Sequence, residues 1–396
     1  MKNIIEKTLD SMGGFFLPQK KFILHIFILY VSLKGRINFM TMGRYGSYYE
    51  KSYRLHFKSC FNFTQFNTTL MQETTSEKRH FVIGIDCSFI PKSGKKTKYL
   101  GKFWSGASSR ALKGLEISSI AAIDMNRNAA YHITTNLTPP SDNSKKKRTE
   151  FYLQQIIDNK YHLSTLSKYI VGDGYYVKEP FVSGLLDDTP FHLVSKMRKD
   201  ANLHYLYKGK RTGKQGAPRK YDGKVICHNP DLRRFEKCYE DDKKIIYSAV
   251  VHSVSLKRTI RIAYLMNRAD KSYVIFCSTD ITLNGYEIWK MYKSRFQIEF
   301  LFRDAKQFTG LNNCQARDKE KLEFHFNTSL TAVSLARMEQ ENCEEEDLPF
   351  SMCDINNRYY NDLLIKRFIA MSEIDVTDKK IQAAYQSVTQ WGNIAA

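Results

Sequence analysis

The sequence has 396 residues, of which 42% are hydrophobic, so it is long enough for two or three domains with buried cores. Its 61 Lys and Arg residues outnumber 41 Asp and Glu residues, which gives a net charge of +20. That surplus predicts a polyanionic partner, with nucleic acid as the simplest candidate and an acidic membrane surface as the alternative. Eight Cys residues without a C-x-x-C pair argue against a zinc site and a disulfide framework, and they favour a reducing, cytoplasmic compartment.

The first 80 residues carry short basic helical patterns, which suit a helical DNA-binding region of the helix-turn-helix type. Within them, the apolar stretch from Phe22 to Leu33 has 12 residues, whereas a membrane span needs about 20. It also lacks the small-residue cleavage site of a signal peptide. We therefore expect a buried helix here, inside a helical N-terminal domain, and no membrane partner.

Buried strand patterns begin near residue 81. The run HFVIGIDCSF predicts a strand that ends at Asp86, and the patterns LEISSIAAID and AAYHITTNLT follow it as a meander. A helical pattern then leads to KYIVGDGYY, which predicts a strand that ends at Asp173. This order predicts an α/β domain with a mixed sheet over residues 81–200.

From residue 201 to 278 the pattern alternates as it does in antiparallel strands, which predicts an all-β insertion with a basic loop. The loop sequence GKRTGKQGAP superficially resembles a phosphate-binding glycine loop, but it opens no helix and lacks G-K-[ST]. Helical patterns return over residues 279–340, and a further helical region is expected over 341–396.

The stretch YKSRFQIEFLFRDAK contains no Pro or Gly and predicts one continuous helix from Tyr292 to Lys306. At about 100° per residue, four of its polar residues fall within an arc of about 60°: Tyr292, Arg295, Glu299 and Lys306. A solvated helix face with an i,i+4 ion pair is one interpretation. The flanking Phe residues favour an enclosed polar stripe instead.

Asp86, Asp173 and Glu299 are the candidate site residues of these three segments. Taken singly, each Asp is better explained as a turn former or a cap. Three carboxylates brought together, however, either raise a pKa or bind a metal ion, and oxygen ligands suit Mg²⁺ or Mn²⁺. A pair of such ions can activate a nucleophile and stabilise the leaving oxygen in phosphoryl transfer.

Together these segments resemble the DDE transposases of the insertion-sequence-four family, which carry the signature Y-x2-R-x3-E-x6-K. Every interval of that signature is intact here, at Tyr292, Arg295, Glu299 and Lys306. The resemblance covers roughly residues 20–335 and extends to four further segments: IDCSFIPKSGKKT, KFWSGASSRALKGLE, VGDGYY and GLNNCQARDKEKLEFHF.

The resemblance implies a ribonuclease H-like catalytic domain that is interrupted by the β-rich insertion. It further implies metal ligands that hold two Mg²⁺ or Mn²⁺ ions, namely Asp86, Asp173 and Glu299. The DNA contacts would be Tyr292, Arg295 and Lys306, and Arg303 is expected to add another because it lies beside them on the helical projection.

The implied function is that of a bacterial transposase, which binds terminal inverted repeats, cleaves the transposon ends and joins the 3′ hydroxyl to target DNA. Its partner would be double-stranded DNA, and a homodimer is expected in the DNA complex, in the bacterial cytoplasm at the nucleoid. Two alternatives stay open: a metal-dependent nuclease that cuts without joining, and a DNA-binding regulator with a disused catalytic domain. His325 is open between a site residue and a core histidine.

Overall fold

The computed structural model describes residues 1–73, 79–140, 147–209, 217–342 and 349–394. Most of the predicted basic loop, residues 210–216, lies outside these ranges. Within them the chain combines α-helices with one large mixed sheet, so the predicted mixed α/β class is confirmed.

Five helices precede the first strand in the part of the chain that the structure describes. They are α1 (Lys2–Met12), α2 (Leu17–Ser32), α3 (Phe39–Tyr45), α4 (Glu50–His56) and α5 (Phe63–Glu73). The apolar stretch that begins at Phe22 lies in α2, where Ile26, Phe27 and Tyr30 are fully buried, so the predicted buried helix is confirmed. None of the described helices is long and apolar enough to cross a membrane.

Twelve strands in the described ranges form the sheet. They are β1 (Phe81–Pro91), β2 (Gly101–Ser105), β3 (Arg110–Asp124), β4 (Ala129–Leu137), β5 (Tyr169–Gly172), β6 (His192–Met197), β7 (Leu203–Leu206), β8 (Tyr221–Lys224), β9 (Glu236–Glu240), β10 (Lys244–Ser253), β11 (Arg258–Asn267) and β12 (Tyr273–Ser278). Their order is β2-β3-β1-β5-β6-β12-β11-β10-β7-β8, with β4 beside β3 and β9 beside β10. The pairs β1–β5 and β5–β6 are parallel, whereas the other described pairs are antiparallel.

Two details of the sheet differ from the sequence prediction. Strand β1 does not end at Asp86 but continues to Pro91, because it pairs with β3 along its whole length, from Phe81 opposite Asp124 to Pro91 opposite Gly114. Strand β2, which the sequence analysis did not include, covers the outer edge of β3. The strands of residues 201–278 join the same sheet, because β12 pairs with β6.

The other helices cover the sheet and extend the chain beyond it. They are α6 (Arg148–Ser164), α7 (Glu179–Asp188), α8 (Gly285–Ser294), α9 (Gln297–Phe308), α10 (Lys319–Glu341), α11 (Met352–Ser372) and α12 (Lys379–Thr389). Helix α10 is buried on nearly all sides between β4 and α2. Its Asn327 bonds both the amide and the carbonyl of Thr135 on β4, at 2.9 and 2.8 Å, so this polar side chain fixes the helix on the sheet.

The predicted continuous helix from Tyr292 to Lys306 is wrong. Helix α8 ends at Ser294 and α9 begins at Gln297. Between them the amides of Arg295 and Phe296 donate to carbonyls three residues back, at 3.2 and 3.4 Å, as in a 3₁₀ turn. Because such a turn has about 3.0 residues rather than 3.6, it shifts the angular phase between the two helices. The four signature residues therefore do not form one straight stripe.

His325 is a core histidine. Its side chain is 1% exposed, and both ring nitrogens are bonded: Tyr30 Oη lies 2.6 Å from Nδ1, and Nε2 donates to the carbonyl of Gly310 at 2.9 Å. Burial lowers the pKa of His325 to about 4, so the ring is neutral at pH 7. The residue links α2 to α10 and does not line the cavity described below.

We expect Tyr30→Phe to lower the free energy of unfolding by about 1–2 kcal/mol, because Nδ1 of His325 would remain buried without its donor. Urea unfolding measures the difference. Tyr161→Phe is the matched control, since the Tyr161 side chain is 79% exposed and its change should have no measurable effect. Equal stability of the two variants would contradict the core role of His325.

Candidate active site

The parallel pairing of β1 with β5 sets the positions of the first two carboxylates. Ile83 lies opposite Ile170, and the next residues continue in the same register. Carried three residues further, this offset places Asp86 level with Asp173. Side chains alternate along each strand with the same period, so level residues in parallel strands project to the same face of the sheet.

Asp173 is fixed by local backbone geometry. It follows β5 directly and caps the 3₁₀ turn Gly174–Tyr176, where its Oδ1 accepts the amide of Tyr175 at 2.9 Å. Its own carbonyl accepts the Ser195 hydroxyl at 2.8 Å. The residue before Asp173 is Gly172, and a side chain there is excluded because a Cβ would lie 2.7 Å from the ring of Tyr176. The predicted strand end and turn at Asp173 are confirmed.

Asp86 is held by its neighbour's backbone and by one guanidinium. Its Oδ1 accepts the amide of Cys87 at 2.9 Å, and its Oδ2 accepts Nη1 of Arg295 at 2.9 Å. Burial raises the pKa of Asp86 to about 6, Arg295 opposes this rise, and the charges of Asp173 and Glu299 add to it. The charged form of Asp86 is therefore incompletely compensated.

Helix α9 contacts β1, β3 and β4, and this packing brings Glu299 to the carboxylates of the sheet. Oε1 of Glu299 accepts Nη2 of Arg295 at 2.8 Å, so one guanidinium bridges Glu299 and Asp86. The Arg295 side chain is only 14% exposed, and its Nε is buried without a hydrogen-bond partner among the described residues. The bridge thus places one positive charge between two carboxylates.

A cavity of about 1050 Å³ opens at this point and is named here the carboxylate cavity. It brings together five of the seven site residues predicted from sequence: Asp86, Asp173, Glu299, Arg303 and Lys306. Arg295 contacts two of the five through its guanidinium. Tyr292 does not line the cavity. Its ring packs on Phe276 with a centroid distance of 4.8 Å, and the Arg295 guanidinium lies 5.8 Å from its centre.

The two cations of the cavity differ in their surroundings. Arg303 is about half exposed, pairs with Asp304 at 3.0 Å and lies over the ring of Phe300 at 4.6 Å. Lys306 is partly buried, which lowers its pKa, and it has no ion-pair partner in the described part of the chain. A desolvated ammonium without a carboxylate favours an anionic ligand in the cavity.

Glu116 is a cavity residue that the sequence analysis did not single out. It is buried on β3, where its Oε1 accepts the hydroxyl of Tyr152 at 2.6 Å and its Oε2 lies 4.0 Å from Nη1 of Arg148. The signal in the sequence was an acidic residue near the start of the mostly apolar pattern LEISSIAAID. Because the hydroxyl of Tyr152 holds its carboxylate in place, Glu116 supports the wall of the cavity.

The three carboxylates offer the hard oxygen donors that Mg²⁺ and Mn²⁺ prefer. The incompletely compensated charge of Asp86 also suits an added cation. Within the described ranges, however, no three His, Cys, Asp or Glu side chains converge closely enough to hold an ion. The donor set therefore fits a divalent cation chemically, whereas this conformation pairs two of its three members with Arg295.

Comparison with known proteins identifies a related family. Residues 45–235, just under half of the chain, match the family model of the DDE superfamily endonuclease. The matched segment contains Asp86 and Asp173 and ends before Glu299. The match supports a nuclease of the DDE transposase type, and that superfamily generally uses divalent metal ions.

Among solved structures, the cryo-EM structure of the piggyBac transposase synaptic complex with hairpin DNA resembles this chain with a TM-score of 0.41 and 12% sequence identity. The alignment covers 98% of this chain and 80% of that chain. No curated protein matches the sequence significantly.

We expect Arg295→Ala to lower the free energy of unfolding by about 2 kcal/mol at pH 7, because Asp86 and Glu299 would face each other without a cation between them. The pKa of Asp86 should rise further, since Arg295 now lowers it. Urea unfolding and an NMR titration measure the two effects. Arg303→Ala, at a more exposed pair, should change stability by less than about 0.5 kcal/mol, and an equal loss in both variants would contradict the bridge.

The raised pKa of Asp86 predicts a pH dependence of stability. Between the ordinary value of 3.8 and the folded value of about 6, the folded state binds more protons than the unfolded state. The stabilising contribution of this group is therefore complete below the ordinary value and is lost as the pH rises through about 6. In metal-free buffer, Asp86→Asn should be more stable than the wild type by about 1–2 kcal/mol at pH 7, with a smaller difference at pH 4. A difference that does not change with pH would contradict this assignment.

Proposed function

We propose that the chain is a DNA transposase of a bacterial insertion sequence, of the insertion-sequence-four group. It would cleave the ends of its own element and join the freed 3′ hydroxyl to target DNA. The observation that carries this proposal is a single cavity lined by Asp86, Asp173, Glu299 and the unpaired Lys306. Phosphoryl transfer to or from DNA needs both parts, an acidic cluster for cations and a cation for the phosphate.

The proposal includes a ribonuclease H-like catalytic domain, formed by residues 81–200 and 279–340, with a β-rich insertion over 201–278. Residues 1–80 would form a helical DNA-binding region, and 341–396 a C-terminal helical region. The strand topology of residues 81–200 supports the catalytic-domain part of this proposal. Strands β1, β3 and β4 form an antiparallel meander, and β1 also pairs in parallel with β5, which pairs in parallel with β6.

Asp86, Asp173 and Glu299 would hold a pair of Mg²⁺ or Mn²⁺ ions. When bound, such ions activate the attacking oxygen and stabilise the leaving oxygen of a phosphoryl transfer. Glu299 is 43% exposed, so of the two carboxylates bonded to Arg295 it is the easier one to release from the guanidinium. Asp173 keeps its position through its backbone bonds.

The cations of the chain would bind and orient the DNA. Lys306 would neutralise a non-bridging phosphate oxygen beside the carboxylates, and Arg303 would contact the strand nearer to solvent. Arg295 offers a planar fork that suits two phosphate oxygens. We assign Tyr292 a different role from the one the signature implies: its ring, held on Phe276, would support the Arg295 guanidinium instead of contacting the DNA.

The proposed partner is double-stranded DNA, as terminal inverted repeats and as target, with a homodimer in the DNA complex. The net charge of +20 supports a polyanionic partner of this kind. The proposed location is the bacterial cytoplasm, at the nucleoid.

We expect each of Asp86→Asn, Asp173→Asn and Glu299→Gln to lose Mg²⁺-dependent end cleavage by at least about 100-fold, and to bind the ends within a few-fold of the wild type. The substrate is a labelled duplex with the inverted repeats that flank the gene, and gel electrophoresis separates cut from joined products. Glu320→Gln, an exposed residue of α10, is the control. If one of these variants cleaves at the wild-type rate, its carboxylate is not part of the site. If the wild type cleaves but gives no joined products, the nuclease alternative is favoured.

Lys306→Ala should slow single-turnover cleavage on the order of 100-fold, because a misplaced phosphate loses its alignment with the carboxylates. The same change should leave the free energy of unfolding within about 0.5 kcal/mol, since the ammonium has no ion pair to lose. Lys293→Ala, at an exposed site near the end of α8, is the matched control. A loss of stability without a loss of rate would mean that Lys306 is structural.

A further inference from the structure

A second cavity, of about 490 Å³, lies beside the carboxylate cavity. Three segments form it: the loop that follows β1, the segment between α9 and α10, and the turn that follows α2. Its charged lining residues are all cations, namely Arg36, Lys92, Lys95, Lys96 and Arg317. Within the described ranges no Asp or Glu lines it. We call this cavity the basic cleft.

The charges of the basic cleft are not neutralised by the protein. Arg36, Lys95, Lys96 and Arg317 are exposed and have no ion pair among the described residues. Many other exposed Arg residues of the chain do have one. Arg198 pairs with Asp200 at 2.7 Å, for example, and Arg233 pairs with Asp231 at 2.8 Å. Cations gathered without a counterion repel one another, and a bound polyanion would remove that repulsion.

Hydrogen bonds join the three segments without any ligand. Nζ of Lys92 donates to the carbonyl of Cys314 at 2.5 Å, and the amide of Lys98 donates to the carbonyl of Arg317 at 3.2 Å. Nδ2 of Asn313 lies 3.4 Å from the carbonyl of Gly35, near the limit for a hydrogen bond. The walls of the basic cleft are thus fixed in advance, which reduces the ordering needed on binding.

The basic cleft is continuous with the carboxylate cavity, because Pro91 and Asn312 line both. The part of β1 from Asp86 to Pro91 spans about 17 Å at about 3.3 Å per residue. The entrance of the basic cleft therefore lies within reach of a phosphate that is a few nucleotides along the same strand from one held at Asp86.

The lining also indicates which part of a nucleic acid fits. Its uncharged members are small, polar or aliphatic, and no aromatic ring lines the basic cleft in the described structure. Base recognition commonly uses aromatic stacking platforms, whereas backbone binding needs only cations and hydrogen-bond donors. Phosphates match this surface better than bases do.

We propose that the basic cleft binds the phosphodiester backbone of the DNA strand that enters the carboxylate cavity, a few nucleotides from the reacting phosphate. The inference rests on the proposed function, since it takes DNA as the substrate of the adjoining cavity. It adds Arg36, Lys92, Lys95, Lys96 and Arg317 to the DNA-binding surface. The role of this surface is to hold register along the strand, separately from the chemistry.

The test compares two triple variants that each remove three exposed cations. Lys95→Ala, Lys96→Ala and Arg317→Ala change the basic cleft, whereas Arg367→Ala, Lys379→Ala and Lys380→Ala remove the same residue types from α11 and α12. Binding of a fluorescent duplex of arbitrary sequence is measured at increasing salt. Because each lost phosphate contact lowers the slope of log K against log salt by about 0.9, the cleft variant should lose about 2–3 units of slope. Equal slopes in both variants would overturn the inference.

A second measurement locates the contact. Single phosphates on both sides of the mapped cleavage position are replaced by uncharged methylphosphonates. Replacement at a position a few nucleotides from the cleavage position should weaken binding by the wild type and leave binding by the cleft variant unchanged. An effect at the same position in both proteins, or none in either, would place the strand elsewhere.

Two further measurements distinguish DNA binding from binding of a free anion, and the cleft proposal from the proposed function. Inorganic phosphate at about the same phosphate concentration as the duplex should not displace it, and displacement would identify a free-anion site and overturn the DNA assignment. Glu299→Gln should keep the wild-type salt slope while it loses cleavage. If the cleft variant loses salt slope but the wild type never cleaves the ends, the proposed function is overturned and the DNA-binding cleft stands. If the wild type cleaves the ends but the two triple variants have equal salt slopes, only the proposal about the cleft is overturned.

Discussion

One guanidinium joins the two parts of the candidate site. Arg295 stands at the junction of α8 and α9 and bonds Asp86, which is 209 residues away on β1, as well as Glu299 in the next turn. Its single positive charge faces two carboxylates, and burial, together with the charges of Asp173 and Glu299, raises the pKa of Asp86 in spite of Arg295. The chain therefore keeps an arrangement that is electrostatically unfavourable by itself, as expected where function and stability compete.

The scaffold around this bridge leaves little freedom to the three carboxylates. The parallel register of β1 and β5 sets two of them, and the buried helix α10, fixed to β4 by Asn327, lies behind the third. Helix α9 packs against both α10 and the sheet. Asp86 and Glu299 are thus carried by regular elements and Asp173 directly follows one, which positions them more accurately than long loops can.

Local patterns in the sequence were enough to predict some of these features. Asp173 could be placed because an apolar run followed by Asp-Gly indicates a strand and a turn. Glu299 and Lys306 could be grouped because both lie on one helix, and helical spacing is a local property. The burial of α2 could be predicted because its apolar run is too short to cross a bilayer and too long for a loop.

Other features depend on contacts between distant parts of the chain. The 3₁₀ turn at Arg295 contains no Pro or Gly, so its sequence shows no break, and the turn is where Arg295 bonds Asp86. The position of Tyr292 also depends on a contact with a distant part of the chain, because its ring packs on Phe276 and does not line the cavity. The extension of β1 beyond Asp86 required its long antiparallel partner β3, and helical projection or strand alternation contains no information on partners.

The pairing of β12 with β6 has a consequence for shortened forms of the protein. If residues 201–278 were deleted, β6 would become the last strand of the sheet, with main-chain groups from Val194 to Met197 open on one side. Open strand edges recruit edges of other molecules, which leads to aggregation. A minimal version of this protein would therefore need a proline, a bulge or an inward-pointing lysine at β6 to stay monodisperse.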